Sequence, residues 1–288
     1  MIAFFISSLL LGVCFLPLSL GVYLSLKIYS VPDITTDGSF VLGACISAVL
    51  IEGGFTPLLV LPIILFAGFL AGTFTGLIHT KLSVNALLSG IIVMTALFSI
   101  NLAIMGKPNI SLMNHEGLLG DPAYLAESWK NIAILLSLVA AFFLLFFYLL
   151  RTDFGLSMRA TGSNELMART CGINTSLNKI IGLGFANGLS ALSGFLMVQI
   201  QGFADINMGI GIVIIGLASV MIADKIKPNQ IRFSVSSELL FLIVGTLVYR
   251  LIISLSLLSG IPSEYIKLLT AILVLSVLFI PSGKSKKV

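Results

Sequence analysis

Apolar residues come in runs of about twenty along nearly the whole chain, divided by short polar stretches carrying glycine, asparagine and basic residues. Nine runs can be marked: Ile2 to Leu26, Phe40 to Ile51, Pro57 to Ile78, Ala86 to Met105, Ile132 to Leu150, Ile180 to Gln199, Met208 to Ala223, Val235 to Leu258 and Tyr265 to Ile280. A helix of about twenty apolar residues bonds its own backbone and crosses a hydrocarbon layer of roughly 30 Å. The pattern predicts an all-α, polytopic integral membrane protein of about eight or nine transmembrane segments, one domain over residues 1–288. Phe40 to Ile51 and Met208 to Ala223 are short for a perpendicular crossing, so both are expected to be broken, tilted or re-entrant inside the bundle.

Composition agrees: of 288 residues 58% are hydrophobic and 10% charged, and the mean hydropathy is +1.12. A soluble domain would carry roughly a quarter charged residues. The net charge of +4 does not point to nucleic acid, because the basic residues sit in short loops beside apolar runs. If the loop from Arg151 to Lys179 is cytoplasmic, alternating crossings place twelve of the sixteen basic residues on that side. The N-terminus is then outside and the C-terminus cytoplasmic, with the first run kept as an uncleaved helix. The outer loop from Gly106 to Lys130 holds Trp129 and Tyr124, which fits a piece lying at the interface or a docking surface for an external partner.

Little here suggests catalysis. No Gly-rich loop ending in Gly-Lys-Ser/Thr occurs; the nearest string, Ser282 to Ser285, lacks the first glycine. His79 and His115 fall on opposite sides, and Cys14, Cys45 and Cys171 lie far apart, so no catalytic, cofactor or metal site is expected. The intramembrane acids are Glu238 and Asp224, both near segment ends, where solvated or snorkelling placement is expected. Arg250 lies deeper, either to meet the carboxylate of a solute or to snorkel from a tilted helix. Asn85, Ser89, Asn187, Gln199 and Arg250 form the candidate translocation path; as polar groups at depth they can equally bond helix to helix. The spacings Gly68, Gly72, Gly76 and Gly184, Gly188 mark close helix packing.

The longest cytoplasmic loop, Arg151 to Lys179, holds a short helical piece from about Asn164 to Thr170, with Gly155, Gly162 and Gly172 punctuating the segment as breaks. Ser163 or Asn164 can cap it, Glu165 suits its N-terminal dipole, and Gly172 can end it in a left-handed turn. Taken alone, this is either an ordinary basic loop or a docking element.

The order Gly155, Arg159, Ala160, Gly162, Asn164, Glu165, Ala168, Arg169, Gly172, Ile173, Asn174, followed by the small-residue stretch Gly188 to Gly194, resembles the cytoplasmic coupling segment of ABC importer permeases of the branched-chain amino acid and ribose type. PDITTDGSFVLGA, from Pro32 to Ala44, is similar to the second-segment motif of a subgroup associated with amino-acid uptake and a substrate-binding protein, and the likeness continues through Asn85 to Asn109. The resemblance implies the permease subunit of an ATP-driven importer, without its own nucleotide site, in the bacterial inner membrane. It implies an ABC ATPase on the cytoplasmic face, docked at Asn164, Glu165, Leu166, Met167, Ala168, Arg169 and Gly172. It also implies an extracytoplasmic substrate-binding protein, a homodimer embedded in membrane lipid, and an amino acid or similar small metabolite as cargo. The wider signature begins Glu, Ala, Ala, whereas Leu166 and Met167 follow Glu165 here. The alternative is an ion-coupled secondary transporter or channel acting without an ATPase.

Overall fold

Each apolar run becomes a helix, because backbone amides in a lipid layer find partners only within the chain. The computed structural model describes residues 2–112, 117–118, 129–227, 235–262 and 265–279; His115, Tyr124 and the tail from Ser282 lie outside them. The first span is jointed: α1 (Ile2–Cys14) yields at Phe15 to α2 (Leu16–Val22), whose Pro17 needs no amide partner in a first turn, and a π-helical turn (Tyr23–Ile28) follows. Then come α3 (Thr35–Glu52), α4 (Pro57–Lys81), α5 (Ala86–Met105), α6 (Trp129–Arg151), α7 (Asp153–Ser163), α8 (Glu165–Thr170), α9 (Thr175–Gln201), α10 (Ile212–Ile226), α11 (Val235–Leu258) and α12 (Ile266–Phe279). Among the described residues, seven helical stretches are long and apolar enough to cross a membrane; α12 is apolar but shorter.

The centre is α9, buried along most of its length and packed against α3, α4 and α2. It can be central because one stripe of its surface, with Gly188, Ala191 and Gly194, is small enough for neighbouring backbones to rest on it. A Cβ on Gly43 of α3 would fall on the Ala191 carbonyl, and one on Gly194 of α9 on the Phe40 carbonyl, so the two backbones touch. Gly68, Gly72 and Gly76 of α4 meet Ala191, Leu183 and Ile180 in the same way.

Three expectations change. The short second run does not break: α3 extends it at both ends, because Thr35, Thr36 and Asp37 are polar but buried. The run from Met208 becomes helical only at Ile212, after Gly211 at φ 83°. Ahead of it the chain forms a strand, β2 (Phe203–Asp205), paired antiparallel with β1 (Asn109–Ser111). At 1.5 Å per residue α10 is only about 22 Å long. Third, much of the loop after Arg151 is the helix α7. Gly155 and Gly162 read as breaks but serve approach: their hydrogens face the Leu150 backbone and the Ile28 carbonyl.

One end of the bundle is basic. There Lys27 pairs with Asp224, and Lys227 with Glu238 at 3.0 Å. Glu238 is buried and also accepts from the Tyr23 hydroxyl at 2.6 Å, so its solvated placement is corrected; Asp224 is half exposed. The opposite end carries the two-stranded β1–β2 sheet and the Lys107–Glu52 pair.

Gly72→Leu should lower the melting temperature in detergent by the equivalent of about 1–3 kcal/mol, since no rotamer clears the α9 backbone. Leu58→Ile, at an exposed position of α4, should leave it unchanged. Equal melting of the two would refute the direct contact.

Candidate functional site

Two features stand out, a capped knob at the basic end and a polar knot inside the bundle. In the knob, Asn164 leaves the helical region and its Oδ1 accepts from the Met167 amide at 3.0 Å, so Asn164 and not Ser163 caps α8. Glu165 accepts from Lys179 at 2.6 Å and from Arg169, four residues on, at 2.8 Å. Arg169 Nε donates to Thr175 Oγ1 at 2.9 Å, and Gly172 turns the chain at φ 83°. These bonds lock a helix of six residues that is far too short to hold by itself. Ala168 points inward, while Leu166 and Met167 are 77% and 65% exposed. All seven predicted coupling positions thus share one rigid projection.

The candidate path residues do not converge. Asn85 caps α5 near the basic end, accepting from the Leu87 amide at 2.9 Å, and Ser89 donates to its carbonyl at 3.0 Å. Gln199 accepts from the Leu118 amide at 2.8 Å, and its buried Nε2 has no partner among the described residues. Arg250 of α11 sits against the α1–α2 joint, its guanidinium 5.8 Å from the Phe15 ring centre and its Nε without a partner among the described residues.

Asn187 belongs to the knot. Its Nδ2 donates to Asp33 Oδ2 at 2.7 Å and to the Leu183 carbonyl at 2.9 Å, while its Oδ1 accepts from Ser39 at 2.7 Å. Asp33 Oδ1 accepts from the Thr35 amide at 2.9 Å, and Ser190 of α9 donates to the Thr36 carbonyl at 2.7 Å. One turn on, Asp37 accepts from the Gly211 amide at 3.0 Å and the Val213 amide at 2.7 Å, capping α10 from another helix. About 20 Å of helix separates Asp37 from the far ends of both α3 and α10. Both carboxylates were missed as intramembrane acids, since they precede the apolar run; the signal was two acids four apart with no basic neighbour.

The stretch 29–34 ties the knob to the knot. The Tyr29 ring fills the space that a side chain on Gly182 would take, and its hydroxyl donates to the Asn178 carbonyl at 2.7 Å. Gly162 of α7 lies against the Ile28 carbonyl. The chain reaching Asp33 is therefore held between α7 and α9.

Asn187→Leu leaves Asp33 Oδ2 and the Ser39 hydroxyl without the partner they have here, at about 1–3 kcal/mol per group, and should sharply lower the melting temperature. An unchanged melting curve would show that water replaces the amide. Glu165 offers a pH test. The hydrogen bond from Lys179 holds its carboxyl below the ordinary value of 4.5. A depressed folded pKa stabilises fully above that value and is lost as pH falls through the folded one. A spin label on Cys171, the exposed cysteine beside α8, should keep its mobility from about pH 8 to about pH 5 and loosen only in stronger acid. Loosening near neutrality would contradict the pairing.

The family model described as branched-chain amino acid transport system, permease component, matches residues 4–278. The chain is 38% identical over 265 residues to a tyrosine transport system permease protein of Clostridioides difficile, covering 91% of this chain and 85% of that one. It is 35% identical to an uncharacterized protein of Rickettsia prowazekii over 94% of each chain. A galactofuranose transporter permease protein of Escherichia coli is 24% identical, over 88% of this chain and 72% of its own. No solved structure matches significantly. With nearly its whole length inside that match, and with the helical bundle the match requires, the chain belongs to the branched-chain amino acid permease family of ABC transport systems.

Proposed function

We propose that this permease imports an amino acid or similar small metabolite across the bacterial inner membrane, driven by ATP hydrolysed on a partner. The observation that carries the reading is α8: a helix locked by three ion-pair and hydrogen-bond partners, offering Leu166 and Met167 bare to solvent. An apolar projection held this firmly at the basic end suits insertion into a groove on an ATPase, with Asn164, Glu165, Ala168, Arg169 and Gly172 fixing its shape. The permease then needs no nucleotide site of its own. The basic end is cytoplasmic under the positive-inside rule, which puts the N-terminus outside and leaves the end with the β1–β2 sheet to face a substrate-binding protein.

Movement of the ATPase would travel through α8 and α7 to Ile28 and Tyr29, and from there to Asp33 and the start of α3. Two copies facing each other would enclose the path. The relative named for tyrosine transport favours an amino acid as cargo, and the relative named for galactofuranose keeps a sugar open. Buried acids such as Asp33 and Asp37 also suit an ion-coupled carrier working without an ATPase, so the two readings need separating.

Co-purification with a candidate ABC ATPase subunit from the same organism separates them. The wild-type chain should hold a stable complex, and a double variant, Leu166→Asp with Met167→Asp, should lose it while inserting normally into the membrane. If the wild type captures no ATPase and the purified chain transports under an ion gradient, the importer reading falls.

A further inference from the structure

We infer that a cleft between α3 and α5, walled by Asp37 and Asn101, receives the ammonium group of the transported solute, an α-amino acid with an apolar side chain. The inference rests on the chain being a solute transporter. Asn101 is 1% exposed. Its Nδ2 donates to the Gly38 carbonyl at 3.2 Å, and its Oδ1 has no partner among the described residues. A buried acceptor left unmet costs about 1–3 kcal/mol, so the site calls for a donor. Beside it, each oxygen of Asp37 takes one backbone amide from the start of α10. A carboxylate offers about four lone-pair sites, so about two remain. The α10 dipole offsets only about half a charge, and among the described residues no lysine or arginine lines the cleft; Lys267, the cation that acts on Asp37, lies outside its walls.

Size and shape narrow the ligand. The cleft holds about 30 Å3, roughly the volume of one water or one ammonium group. Three ammonium donors match Asn101 Oδ1 and the free sites of Asp37; a single hydroxyl satisfies only one of these acceptors. The remaining wall is apolar, with Met94, Phe98 and Ile210 among its residues. Phe98 and Ile210 are 46% and 50% exposed, so the cleft opens past them and leaves room for an apolar side chain.

The test uses the full-length permease without any ATPase, in detergent, with Cys171→Ser and a reporter thiol at Phe98→Cys; Cys14 and Cys45 are buried. Aminoethyl methanethiosulfonate should label the reporter at least about tenfold faster than the sulfonatoethyl reagent, because the wall concentrates cations. Millimolar L-leucine or L-tyrosine should slow labelling, whereas N-acetyl-leucine and galactose should not. Asn101→Leu should abolish that protection, and Asn101→Asp, which keeps an acceptor, should retain it. Labelling by neither reagent, equal rates for both, or protection by galactose overturns the proposal; so does protection that survives in Asn101→Leu. Loss of ATPase co-purification would sink the importer reading and leave this site standing, so the two failures are distinguishable.

Discussion

Backbone amides at the start of a helix have no partners inside that helix, and lipid supplies none. The start of α10 lies within the bundle, and the carboxylate of Asp37 meets its Gly211 and Val213 amides. Without that bond the helix would have to begin elsewhere, and the turn from β2 into α10 would lose its anchor. Asp37 is held in turn because α3 is pinned to α9 through Asp33, Ser39 and Asn187. A charge is tolerated at this depth because it completes the backbone of another helix.

Close approach provides the rest. The glycines of α4 bring its backbone onto α9, and Gly43 and Gly194 do the same between α3 and α9, which puts Asn187 within reach of Asp33. Hydrogen bonds between helices are modest individually; here dispersion across a broad, nearly smooth contact positions them. The knob and the knot thus share one support, since α9 begins at the cap beside α8 and runs past Asn187.

Much of this was written locally in the chain. Helices α4, α5, α6 and α11 follow from apolar runs that nothing interrupts, and the knob from a capping Asn164, a paired Glu165 and Arg169, and a terminating Gly172. What escaped depends on residues far apart. Gly155 and Gly162 looked like breaks because their purpose, contact with Leu150 and Ile28, lies outside the local sequence. Asp33 and Asp37 precede the apolar run, and the groups that hold them in the bundle, on Asn187 and at Val213, are more than 150 residues away. Glu238 looked solvated for the same reason, its partner Tyr23 being 215 residues earlier. The strands, three residues each, are too brief to leave a pattern.

The small-residue stripe of α9 also sets where the protein can be altered. Where neighbours rest on its main chain, at Gly188, Ala191 and Gly194, there is no side-chain volume to trade, so that face cannot be widened or narrowed to admit a different solute. The opposite wall is freer: on α5 many apolar side chains face outward, including Leu88, Ile92 and Phe98. Divergence in cargo among proteins built this way would fall on that helix, with the α3–α4–α9 core inherited as an unalterable chassis.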